Sequence, residues 1–132
     1  MHTQQGMTQY YQSMGKNAHV LSAEPHQLVS MLIKQGRNKI NLAIHAGQQD
    51  IGTRSQSIHR ACAIVDALRV SLDTHAGGEI AQNLEDLYDY MHRRLMHANI
   101  QPEDSSALTE VDQLLSTLQD AWEQIESEAA GA

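Results

Sequence analysis

The double glycine at Gly77-Gly78, followed at once by the apolar series Ile80, Leu84, Leu87, Met91, Leu95 and Ala98, constrains the fold more than any other feature of the chain. Intervals of three and four residues put those side chains along one face of an α-helix. Glycine takes the left-handed conformation that closes a preceding helix without steric cost. The pattern therefore predicts two helices meeting at a tight turn. The second opens at Glu79, an acid well placed at the positive end of a helix dipole, and runs to about Ala98.

The same reading extends along the chain. A first helix opens near Pro25, whose fixed φ suits the first helical turn, with Ser22 or Glu24 at its N-cap, and runs to about Gly47. A second spans roughly Asp50 to Thr74 and is stopped by Gly77-Gly78. Pro102 punctuates the next connection, and Asp104, Ser105 or Ser106 caps a fourth helix through about Ser127. Two prolines, no Phe and an abundance of Ala, Leu, Gln, Glu and Met favour helix over strand. Four long helices with short links predict an all-α, antiparallel up-down four-helix bundle.

With 132 residues and 41% hydrophobic content, one core is the expectation. The bundle domain covers residues 21–127, after a polar arm over residues 1–20 that forms a flexible lid or a short extra helix, and before a frayed tail over residues 128–132. The formal charge of −7 argues against nucleic acid, which is gripped by Lys and Arg displacing counterions. No window reaches the eighteen or so apolar residues of a membrane span, so no membrane insertion and a cytoplasmic location are expected. The one cysteine, Cys62, leaves no internal disulfide.

Apolar surface is unevenly distributed over the helices. The fourth has a single arc, from Leu108 and Val111 through Leu114, Leu115, Leu118, Ala121 and Trp122 to Ile125. The third also has one, so both read as ordinary bundle members. The first helix carries two stripes. Leu28, Met31, Leu32, Leu42 and Ala46 form one, while Val29, Ile33, Gly36, Ile40, Ile44 and Gly47 form another, rotated by roughly a third of a turn. The second helix has Ile64 and Val70 off opposite sides of its main arc. Either a broad core or the arm covers this excess, or it forms a groove for an amphipathic partner helix. The candidate partner surface is Val29, Ile33, Ile40, Ile44, Ile64, Leu68 and Val70. Tyr10 and Tyr11, large aromatics in a polar arm, are the candidate lid.

The chemistry of sites is sparse. Eight histidines invite a metal search, but no two stand at i and i+3 or i+4, the spacing that aims helix ligands at one ion. Asp89 and His92 approach a carboxylate-x-x-His element without a second copy. Cys62 falls within an apolar arc and reads as a small core residue. No nucleophile elbow or glycine-rich phosphate loop is present. No catalytic residue, metal or cofactor is expected. A histidine phosphotransfer bundle with His59 as acceptor is an alternative, though Cys62 and Ala63 stand where Lys-Gly usually follows. A purely structural interaction module is another.

Several of these stretches also carry a family resemblance. Ala23-Glu24-Pro25-His26-Gln27-Leu28-Val29, Val70-Ser71-Leu72-Asp73, Gly77-Gly78-Glu79-Ile80-Ala81 with Asn83-Leu84, Leu87-Tyr88-Asp89-Tyr90-Met91, Ala98-Asn99 and Ala121-Trp122 together resemble the FliS family of flagellin export chaperones. The resemblance runs from Tyr10-Tyr11-Gln12 to Ala121-Trp122. Glu24 replaces the usual Ser, and Ile33-Lys34 stands where Tyr and an acidic residue are frequent. It implies a helical bundle that binds the disordered C-terminal segment of new flagellin in the cytoplasm, prevents early polymerisation and presents it to the flagellar export gate. It further implies that the tyrosine arm lies over an apolar binding site and moves aside for flagellin.

Overall fold

The computed structural model describes residues 25–72 and 74–131. The expected arm, with Tyr10 and Tyr11, lies outside the described residues. Four helices follow one another: α1 (Pro25–Ala46), α2 (Ile51–Val70), α3 (Thr74–Ile100) and α4 (Ser106–Gly131). α1 packs on α2 and α4, and α3 packs on the same two, so the helices form a ring in chain order. Partners across each seam run in opposite directions along the two helices. Asp66 meets His92 and Arg69 meets Asp89 between α2 and α3, while Lys34 meets Glu123 and Asn41 meets Asp112 between α1 and α4. The expected all-α, antiparallel four-helix bundle is the architecture found.

Local chemistry sets the helix ends. Gly47, at φ 55°, follows the last residue of α1 and donates its N–H to the Ala43 carbonyl at 3.1 Å. Asp50 caps α2, accepting the Thr53 N–H at 3.1 Å and the Thr53 hydroxyl at 2.7 Å. α2 ends at Val70, short of the expected Thr74. The Ser71 hydroxyl donates to the Leu68 carbonyl at 2.6 Å, a side-chain bond that competes with continuation of the helix. Gly77-Gly78 therefore closes a single opening turn of α3 rather than α2. Gly78, at φ 56° and ψ −131°, makes a break that L side chains resist, and the helix resumes at Glu79. Asp104 accepts the Ser106 N–H at 2.9 Å where α4 begins. α4 then runs past the expected Ser127 to Gly131.

The core explains the double stripe on α1. Leu28 and Leu32 from one stripe and Ile33 and Ile40 from the other are all buried. α1 is enclosed by α2 and α4 together and so buries a wide arc. Gly36 permits the close approach: a Cβ there would stand 3.3 Å from Ile64 Cγ2 and 3.5 Å from Leu115 Cδ1. Of the two explanations for the surplus on α1, the broad core accounts for these four side chains.

One charged side chain lies in this core. Arg54, only 1% exposed, donates Nη1–H to the Ala98 carbonyl at 2.8 Å and Nη2–H to the Asp104 carbonyl at 3.3 Å. It thereby ties the start of α2 to the end of α3 and the entry to α4. Arg54→Ala should destabilise the fold by about 2–4 kcal/mol, because it leaves buried carbonyls unpaired and opens a cavity. Urea denaturation measures that loss. Arg54→Met, which restores volume but not the hydrogen bonds, should recover only part of it.

Candidate functional site

The seam between α3 and α4 is the most sparsely packed of the four. Its loop end is closed. Met91, Leu95 and Ala98 on α3 and Ala107, Leu108 and Val111 on α4 are fully buried. Tyr90 and Arg94, one turn apart on α3, both reach Glu110 on α4: the tyrosine hydroxyl donates to Oε2 at 2.6 Å and Arg94 Nε–H to Oε1 at 2.7 Å. These two bonds, the tyrosine's first, hold the Glu110 carboxyl below its ordinary range. The bond to Glu110 pushes the Tyr90 phenol up.

Away from the loop the packing opens. Leu84 and Leu87 on α3 and Leu114, Leu118 and Trp122 on α4 are only half-buried, while Ile80 is 73% and Ile125 56% exposed. Helical periodicity gives the direction these side chains take. Leu114, Leu118 and Ile125 fall on the flank of α4 that carries Glu110, opposite the flank where Asp112 and Gln119 bond Arg37 of α1. Ile80 and Leu87 fall on the flank of α3 that carries Tyr90 and Arg94, opposite His92, which lies 3.0 Å from Asp66 of α2. The two helices thus present facing apolar walls that burial leaves incomplete. Apolar surface of this kind marks binding surfaces.

The other side of α3 is polar. A cleft of about 650 Å³ between α2 and α3 is lined by Asp66, Arg69, Val70, Leu72, Glu85, Asp89 and His92. Arg69 and Arg93 share Asp89, at 3.7 Å and 3.2 Å.

The residues singled out as a partner surface are scattered by the structure. Ile33, Ile40, Ile64 and Leu68 are buried in the core, Val29 and Ile44 are half-buried against it, and Val70 is 62% exposed at the polar cleft. Tyr10 and Tyr11 lie outside the described residues. Cys62 is buried, with its Sγ 3.7 Å from the Met96 sulfur, and burial, with Asp66 nearby, pushes its thiol up to about 11. It is a core residue. His59 is exposed, with Nε2 3.5 Å from the Asn99 amide. Among the described residues, no group of three or more His, Cys, Asp or Glu could hold a metal ion, and no helix is long and apolar enough to cross a membrane.

Two features escaped sequence reasoning. Arg54 stands four residues before Ile58 on the apolar arc of α2, and a cation on such an arc near a helix end is the signal that would have marked it as buried. The open seam gave no such signal, because periodicity reports which way a side chain points and not how far two helices diverge.

The family model described as "Flagellar protein FliS" matches residues 7–129. The chain belongs to the FliS family. A flagellar secretion chaperone FliS from Salmonella typhimurium is 41% identical over 133 residues, covering 98% of this chain and 96% of its own length. FliSB from Pseudomonas aeruginosa is 36% identical, with 95% and 98% covered. The more distant FliS of Bacillus subtilis is 33% identical, with 83% and 81% covered. Membership in FliS accounts for the matching motifs at both ends of α3.

The clamp at Glu110 makes a pH prediction. Its folded pKa is depressed, so its stabilisation is complete above the ordinary carboxylate pKa of about 4.3 and is lost as pH falls through the lowered value. Glu110→Gln should lower Tm at pH 7, and the gap to the unmodified protein should close in acid as the native carboxyl becomes neutral too. Thermal melts across that range measure it.

Proposed function

We propose that this FliS-family chain is an export chaperone that holds the disordered C-terminal segment of flagellin along the open α3–α4 seam. The observation that carries this reading is the facing pair of apolar walls, half-buried at Leu87, Leu114 and Leu118 and exposed at Ile80 and Ile125, across the most sparsely packed seam of the bundle. A flagellin segment folds as it docks, setting apolar anchors at i, i+3, i+4 and i+7 into the seam. Full burial of one Leu or Ile is worth about 1.5–3 kcal/mol. A few such side chains therefore offset an ordering cost of about 2–5 kcal/mol. A segment held in this way is withheld from polymerisation in the cytoplasm, and the complex is delivered to the flagellar export gate. Tyr10 and Tyr11 act as a lid over apolar surface before flagellin arrives. Val29, Ile44 and Val70 give outlying contacts, while Ile33, Ile40, Ile64 and Leu68 support the docking helices from behind.

The test is calorimetric titration with a peptide from the C-terminus of the same organism's flagellin, with circular dichroism on the mixture. Saturable one-to-one binding with helix gained beyond the sum of the parts is expected. Ile80→Asp combined with Ile125→Asp should weaken binding at least about ten-fold while leaving Tm nearly unchanged, because both side chains are exposed. Ile40→Asp should instead lower Tm sharply by burying a carboxylate. Unaltered affinity in the double variant would exclude the seam.

A further inference from the structure

The α3 rim of the open half is acidic. Residues 79–91 of α3 carry Glu79, Glu85, Asp86 and Asp89 and no Lys, Arg or His. Glu85 and Asp89 line the α2–α3 cleft, which leaves Glu79 and Asp86 beside the seam, and α4 from Ser106 to Gly131 brings no basic residue to face them. Some acids of α3 and α4 are met from neighbouring helices or the next turn. Arg94 meets Glu110, Arg37 meets Asp112, Lys34 stands 3.8 Å from Glu123, and Arg69 and Arg93 share Asp89. Among the described residues, no Lys or Arg stands within ion-pair distance of Glu79, Glu85 or Asp86. Glu79 and Asp86 are exposed and fall, by helical periodicity, on the α4-facing side of α3's outer surface, beside Ile80 and Leu87.

We infer that the seam selects an amphipathic helix whose apolar stripe is flanked by Lys or Arg, with the basic flank lying along Glu79 and Asp86. This rests on the seam as the docking surface proposed above and adds the chemistry of what it takes. Charge complementarity carries the inference. A cationic flank relieves the repulsion among unpaired carboxylates and is drawn in at long range, whereas an acidic flank meets like charges. The same field excludes other occupants. Nucleic acid and anionic lipid present phosphates to a negative wall. A second copy of this chain brings a formal charge of −7 to meet another −7.

The test uses two designed helical peptides with the same Leu and Ile stripe, one flanked by Lys and the other by Glu, beside the flagellin C-terminal peptide. Fluorescence of Trp122, the single tryptophan, half-buried in the open half of α4, reports docking. At about 50 mM salt the Lys-flanked peptide should bind at least about ten-fold more tightly than the Glu-flanked one. The difference should shrink severalfold at about 500 mM, where charges more than a few ångströms apart are screened. Asp86→Asn should reduce the preference at least about two-fold at nearly unchanged Tm, the residue being exposed in mid-helix, and adding Glu79→Gln should deepen that loss while lowering Tm slightly, because it removes an acid from the positive end of the helix dipole. Equal binding of the two designed peptides, with the flagellin peptide bound, would overturn the charge selection and leave the chaperone reading standing. Selection of the Lys-flanked peptide with no binding of the flagellin peptide would uphold the selection and count against flagellin as the partner. Absence of binding by all three would overturn both.

Discussion

Arg54 sits in the core with no carboxylate of the described residues within ion-pair distance, and the shape of the bundle follows from what it holds instead. A guanidinium taken out of water is costly unless its donors are used. Here two of them go to the Ala98 and Asp104 carbonyls, at the negative end of α3 and at the start of α4. The connection over residues 101–105 is thus fixed to the first turns of α2. One turn farther from the loop, Tyr90, Arg94 and Glu110 join the same pair of helices again. α3 and α4 are bound twice at one end, and their apolar side chains lose burial toward the other, where Ile80 and Ile125 remain exposed.

α1 shows the opposite behaviour. Gly36 leaves room for Ile64 and Leu115 at van der Waals range, so α2 and α4 close on α1 from two sides. A helix enclosed in this way buries more than one stripe. Part of its apolar surplus, Ile33 and Ile40, becomes core, while Val29, Met31 and Ile44 stay half-buried and Leu42 exposed; the facing, incompletely buried walls lie on the pair of helices whose patterns look least unusual. Tyr88 illustrates the contrast within α3: it is buried, its phenol is pushed up to about 12 by desolvation, and it belongs to the core while Tyr90, two residues on, lies at the surface clamp.

The helices and their antiparallel order were legible because apolar intervals, Pro25, Gly47, Asp50 and Asp104 each act locally. The end of α2 was not, since the bond from Ser71 to Leu68 wins over an apolar pattern that continues to Leu72. The candidate binding surface was less legible still. Ile33 and Ile40 on one helix and Leu84 and Leu118 on two others have the same hydrophobicity, and only the separation of the helices decides which of them is sealed in. Helix packing is a tertiary quantity, close where Gly36 faces Ile64 and Leu115 and sparse between α3 and α4.

An open apolar seam is also a liability, because the surface that receives a partner helix can equally receive another copy of the chain. The charge pattern answers this. Glu79 and Asp86 are exposed beside Ile80 and Leu87, and α4 contributes no cation. On the proposed reading, two seams approaching each other meet like charges before their apolar walls touch, so self-association is opposed at long range while the short-range hydrophobic gain is kept for a partner of opposite charge. The same carboxylates would then serve solubility and selection at once. A substitution that neutralises them trades one against the other, exposing the seam to its own copies as it loses its preference for a basic helix.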